Sequence, residues 1–162
     1  MLTQILQKTP IWVWALLIGL IALGYSQTRS RSVGLARTII MPVAMIALSL
    51  FGTVSAFGAT TTVLGAWLTS CLIVISLTLI QAAPAGTAYQ RSTRQYAMPG
   101  SWLPMGVILA IFMTKYAVGV TLSMQPSLAH SDAFPLSVSV LYGLFSGFFA
   151  GRAIRLWRMA LL

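Results

Sequence analysis

The chain has no glutamate, one aspartate (Asp132), one cysteine (Cys71) and one histidine (His130) in 162 residues. Each scarcity removes a class of chemistry. Without paired carboxylates there is no acid–base couple for glycoside hydrolysis and no acidic set for magnesium-assisted phosphoryl transfer. No glycine-rich phosphate loop ending in Lys-Ser/Thr occurs. One cysteine makes no intrachain disulfide, and a lone histidine in another element does not complete a metal site, so no metal is expected. Cys71 lies in an apolar run and reads as a small buried hydrophobe. A Ser-His-Asp triad would need His130 and Asp132 from one loop and an unidentified serine, and a Ser–Lys pair would need Lys115. No nucleophile–base spacing is legible, so a non-enzymatic role without a cofactor is expected.

Charge as a whole is scarce. Charged residues make up 7% of the chain and hydrophobic residues 58%, whereas a soluble domain carries about 25% charged residues. Such a chain cannot cover a water-facing surface with polar side chains. In place of charge it has five apolar stretches near the length of about 20 residues that spans a bilayer. They lie at about 10–27, 38–58, 62–81, 101–124 and 135–157. The expected fold is all-α: a polytopic membrane protein, one domain over 1–162, with a bundle of five transmembrane helices. Thr9 with Pro10 and Ser101 with Pro104 read as helix starts, and Pro42 falls in the first turns of the second span.

The basic residues that remain are unevenly placed. Arg29, Arg31 and Arg37 lie between or beside spans one and two, Arg91 and Arg94 between spans three and four, and Arg152, Arg155 and Arg158 at the C-terminal end. With five spans these regions share one side, and the other side keeps Lys8 alone. The positive-inside rule then puts the N-terminus outside and the C-terminus in the cytoplasm. Residues 11–23 resemble a signal-peptide core, with Ala22-Leu23-Gly24 as a cleavage-like site. Cleavage there would leave Arg29, Arg31 and Arg37 outside, so a retained span is the preferred reading. Trp12, Trp14, Tyr25, Trp67, Tyr89, Tyr96, Trp102 and Trp157 fall near span ends, as interfacial aromatics do. The formal net charge of +9 is therefore assigned to topology and to anionic lipid head groups on the cytoplasmic side, not to nucleic acid. A docking surface for an acidic partner is the sharper reading of the same arginines.

Lys115 stands out because it is the one charged side chain near the middle of an apolar span. It lies about 21 Å from the inner end of its helix and about 14 Å from the outer end. A lysine near a helix centre costs about 2.5–3.5 kcal/mol on insertion scales, and such residues face the bundle interior or a wet cavity. One reading makes Lys115, with Tyr116 and the outer-loop Asp132, a site for an anion or a polar head group. The other makes it structural, donating to carbonyls and to the hydroxyls of Ser49, Thr53, Ser70 or Ser76. Asp132 with His130 reads equally as a solvated loop pair.

Gly143, Gly147 and Gly151 recur every fourth residue on span five, a stripe that lets helix backbones approach closely. It predicts packing against another span or another copy of the chain, with intrachain packing preferred. The two basic loops also share an outline, Tyr25-Ser26-Gln27-Thr28-Arg29-Ser30-Arg31 against Tyr89-Gln90-Arg91-Ser92-Thr93-Arg94-Gln95, each with a proline in the next helix. A duplication and a chance likeness both fit this.

The strings Thr9-Pro10-Ile11-Trp12-Val13-Trp14, Pro99-Gly100-Ser101-Trp102-Leu103-Pro104 and Lys115-Tyr116, with the arginine loop and Pro42, resemble a family of small proteobacterial inner-membrane proteins of unknown function. The resemblance implies a multi-pass protein of the bacterial inner membrane and carries no activity. Two functions are expected from the residues. The first is a carrier or binding protein for an anionic or lipid-like ligand at Lys115. The second is an accessory subunit of a homo-oligomer or larger membrane complex, using the glycine stripe or the arginines as contacts.

Overall fold

The computed structural model describes residues 10–81, 88–90, 95–98 and 100–161. Lys8, Arg91 and Arg94, and the cap expected at Thr9, lie outside the described residues. The described residues form five α-helices: α1 (Ile11–Ser26), α2 (Leu35–Phe57), α3 (Thr61–Ile80), α4 (Leu103–Met124) and α5 (Ala133–Leu161). A short 3-10 helix, Pro126–His130, joins α4 to α5.

Among the described residues, four helical segments are long and apolar enough to cross a membrane: Thr38–Phe57, Thr61–Ile80, Leu103–Met124 and Ala133–Met159. The first helix is shorter than expected, with 16 residues. At 1.5 Å per residue it is about 24 Å long, against about 30 Å of hydrocarbon. Pro10 ends up just before it, with φ −59° and ψ 145°.

The helices sort into two groups. α5 packs most extensively on α3 and next on α2, while α1 packs on α4, and α4 touches α5 only over a short stretch. The α3–α5 contact is built on the glycine stripe. A Cβ at Gly143 would run into Ser70 Oγ and the Trp67 carbonyl, and one at Gly147 would lie 2.5 Å from the Cys71 carbonyl oxygen. One at Gly151 would lie 2.8 Å from Thr78 Cβ. The stripe therefore faces α3 of the same chain. Between α2 and α3 the chain reverses at Gly58, whose φ of +80° suits glycine, and Thr60 Oγ1 accepts from Val63 N–H to cap α3.

The connections are not all loops. Three short strands, β1 (Arg31–Gly34), β2 (Ala88–Gln90) and β3 (Gln95–Met98), form an antiparallel sheet in the order β1-β3-β2. Val33 pairs with Tyr96, and Tyr89 pairs with the same Tyr96. The all-α expectation is corrected to this extent. The connections carry β-formers at Val33, Tyr89 and Tyr96, and pairing satisfies backbone groups that the helices leave open. Tyr96 is fully buried and its hydroxyl donates to the Leu156 carbonyl at 2.8 Å, fixing the sheet to the C-terminal part of α5. The connection holding Arg29 and Arg31, the strand after Arg94, and the segment of Arg152 to Arg158 thus meet at one end of the molecule.

The α1–α4 pair closes at that same end. A Cβ at Gly24 would lie 2.8 Å from Met105 Cγ. Gly100 sits so close to the Thr28 carbonyl that any side chain would collide, and Ser101 N–H donates to the Gln27 carbonyl at 3.1 Å. α4 starts one residue later than expected, with Trp102 at the cap position and Ser101 Oγ accepting from Leu103 N–H.

Candidate functional site

Lys115 lies on α4 and reaches away from its own pair toward the α2–α3–α5 group. Its ammonium sits over the Tyr142 ring of α5, 4.7 Å from the centroid. Beside it is Gly52 of α2, where a Cβ would come 2.6 Å from Nζ and 3.9 Å from the Tyr142 ring. The absence of a side chain at Gly52 is what lets the ammonium lie against the α2 backbone. A cation over an aromatic face is stabilised by the ring quadrupole, by about 2 kcal/mol where water is largely excluded.

Tyr142 is held by a polar cluster beneath it. Ser49 Oγ donates to the Tyr142 carbonyl at 3.1 Å and accepts from Trp67 Nε1 at 3.1 Å. Thr53 Oγ1 donates to the Ser49 carbonyl at 3.0 Å. Around this cluster Trp67, Val138 and Tyr142 form the buried core, with Leu50, Phe57, Val118, Phe134 and Phe145 packed against it. The site is therefore an ammonium at the edge of an apolar core, over a tyrosine whose carbonyl is held by Ser49 of α2, which Trp67 of α3 holds in turn.

None of the hydroxyls expected to solvate Lys115 accepts from it; each donates to a backbone carbonyl. Ser70 donates to the Ala66 and Trp67 carbonyls and Ser76 to the Leu72 carbonyl, both within α3. Ser49 and Thr53 are occupied as described. Asp132 is exposed just before α5 and forms no ion pair with Lys115. Tyr116 follows Lys115 but points about 100° around the helix, and its ring stacks on Phe112, with centroids 6.3 Å apart. Of the three residues singled out from sequence, Lys115 is thus brought to the core, while Tyr116 and Asp132 are not brought to it.

Tyr142 and Gly52 were not singled out. They lie on other helices, far along the chain, and no local motif joins them to Lys115. One signal was available: Tyr142 is a tyrosine in the middle of an apolar run, away from the interfaces such residues prefer. Trp67 is only 8% exposed and donates into the core. Trp102 and Trp157 are exposed, at 68% and 51%. Cys71 is buried and free.

The arginines do not act as one group. The Arg29 guanidinium lies over Tyr25, 5.3 Å from the ring centroid, and Nη2 donates to the Tyr25 hydroxyl at 3.3 Å. Arg155 Nη1 donates to the Thr78 carbonyl at 3.4 Å, placing a cation at the C-terminal, negative end of the α3 dipole. Arg152 is partly buried and Arg158 exposed. For Arg31 in β1 and Arg37 in α2, only the backbone is described.

Comparison with curated proteins and with solved structures returns no match. A family model does match, and it covers residues 1–161. A match over nearly the whole length, on a mostly helical chain with four segments able to cross a membrane, shows that the protein belongs to the family of unknown function DUF6622.

Proposed function

We propose that this protein is a multi-pass protein of the bacterial inner membrane that binds or carries an anionic or lipid-like ligand at Lys115. In this reading α1 also crosses the bilayer, tilted little or with local thinning. The N-terminus then lies outside, and the arginine-bearing end faces the cytoplasm and its anionic head groups.

The observation that carries the reading is the surroundings of Lys115. An ammonium deep in an apolar helix is costly, and a purely structural one would be expected to gather hydroxyl, carbonyl or carboxylate acceptors. This one has an aromatic face and a glycine beside it, and among the described residues no hydroxyl, carbonyl or carboxylate accepts from its Nζ. A cation–π contact offsets part of the cost and leaves ammonium N–H donors for an incoming anion. The rival reading, an accessory subunit joined through its glycines, is weakened because Gly143, Gly147 and Gly151 lie against α3.

The test is to extract wild-type and Lys115→Met protein from bacterial membranes in a non-ionic detergent. Co-purifying small molecules are then identified by mass spectrometry. An anionic amphiphile retained by wild type and lost from the variant, at unchanged melting temperature, supports the proposal. Equal retention by both rules it out.

A further inference from the structure

We infer that the ligand class of this site is a lipophilic monoanion, one negative charge on an apolar chain, entering sideways between α4 and α5 and taking the Lys115 ammonium from the face of Tyr142. The inference rests on the reading of Lys115 as a ligand site and adds to it the charge, the shape and the route.

Charge comes first. Between the arginine-bearing end and the 3-10 helix at the other, Lys115 is the one charged side chain that the helices carry. Among the described residues, every arginine lies at or beside the sheet end, where Tyr96 ties β3 to Leu156. In a low-dielectric setting, a monoanion cancels the Lys115 charge. A dianion would leave one negative charge with no partner, and a neutral head would leave the cation as it was. An oxyanion is the fitting acceptor because an ammonium carries three donors, and neither Ser49 nor Thr53 accepts from it.

Shape follows from the surroundings. Val118 of α4, Phe145 of α5 and Leu50 of α2 pack on the core cluster that contains Tyr142. A charged head meeting Lys115 must therefore carry an apolar body. The route follows from the helix grouping. α3 and α5 approach so closely at Gly143, Gly147 and Gly151 that nothing passes between them. α4 meets α5 only over a short stretch, and it is the long Lys115 side chain, not close backbone packing, that reaches Tyr142 and Gly52. The α4–α5 seam is thus the side on which the ammonium can be met from the bilayer without breaking a tight helix contact.

Three probes of equal chain length separate the possibilities: dodecanoate, dodecyl phosphate at about pH 9, where it carries two charges, and dodecanol. Each is titrated calorimetrically into the full chain in dodecyl maltoside, with identical titrations of Lys115→Met, or Lys115→Gln if the former does not fold, to remove micelle partitioning. Wild type should bind dodecanoate saturably and about tenfold or more tighter than either other probe, and the variant should lose that difference. A dodecyl phosphate affinity equal to or above that of dodecanoate, abolished in the variant, overturns the monoanion inference and leaves an anion site standing. No Lys115-dependent binding of either anion overturns both.

Discussion

The Lys115 ammonium rests over the face of Tyr142, 4.7 Å from the ring centroid, although the two residues belong to helices that otherwise barely touch. The contact has unequal consequences for its partners. Tyr142→Leu removes the ring and part of a buried core and should lower the melting temperature in detergent, by the equivalent of about 2–4 kcal/mol. Tyr142→Phe keeps the ring and should cost less than about 1 kcal/mol. Lys115→Met removes a poorly compensated charge from an apolar setting and should leave the melting temperature unchanged or raise it. Thermal unfolding followed by circular dichroism checks all three.

The glycine stripe gives a second prediction. Gly147→Leu places a side chain where a Cβ already lies 2.5 Å from the Cys71 carbonyl oxygen. Backbone cannot yield as a flexible side chain does, so α3 and α5 must separate. The expected loss is several kcal/mol, near the upper end of single-substitution effects. Gly106→Ala is the control, since a Cβ there meets nothing within 4 Å. It should be neutral or slightly stabilising by helix propensity.

Tyr96→Phe tests the link between sheet and helix. It leaves the Leu156 carbonyl without its side-chain donor at 2.8 Å and should cost about 1–3 kcal/mol. The loss should be local. Amide hydrogen exchange should rise in β1, β3 and the last turns of α5, and stay unchanged in the α2–α3 hairpin.

Much of the fold was legible because lipid-length apolar runs are long, contiguous signals. The starts and ends of α2, α3, α4 and α5 fall within a few residues of the expected spans. The sheet was not legible. Its strands are three or four residues long and sit among arginines, glutamines and serines, so neither alternation nor length distinguishes them from loop. Lys115 was legible as a lone charge in an apolar run. Its partners were not, since Tyr142 and Gly52 become neighbours only once three helices have packed. The partner of Trp67 was hidden for the same reason, since the Ser49 hydroxyl that its indole meets lies on another helix.

The proposed orientation has its own test. Cys71 is the single cysteine and is buried, so Cys71→Ser gives a clean background. In that background Ser127→Cys, at an exposed position in the 3-10 helix, should react with an impermeant maleimide in spheroplasts. Ser32→Cys, at an exposed position in β1, should react only after lysis. The reverse pattern would invert the topology.

The most direct measurement uses the fact that Lys8 and Lys115 are the two lysines of the chain. Protein labelled with nitrogen-15 at the lysine side chain gives two ammonium environments, and Lys115→Met assigns them. The Lys115 resonance should show the upfield displacement of protons over an aromatic face. It should lose that displacement in Tyr142→Leu, and it should move on addition of dodecanoate. A Lys115 resonance at the position of a free, solvated ammonium, unchanged by Tyr142→Leu and by dodecanoate, would contradict the account.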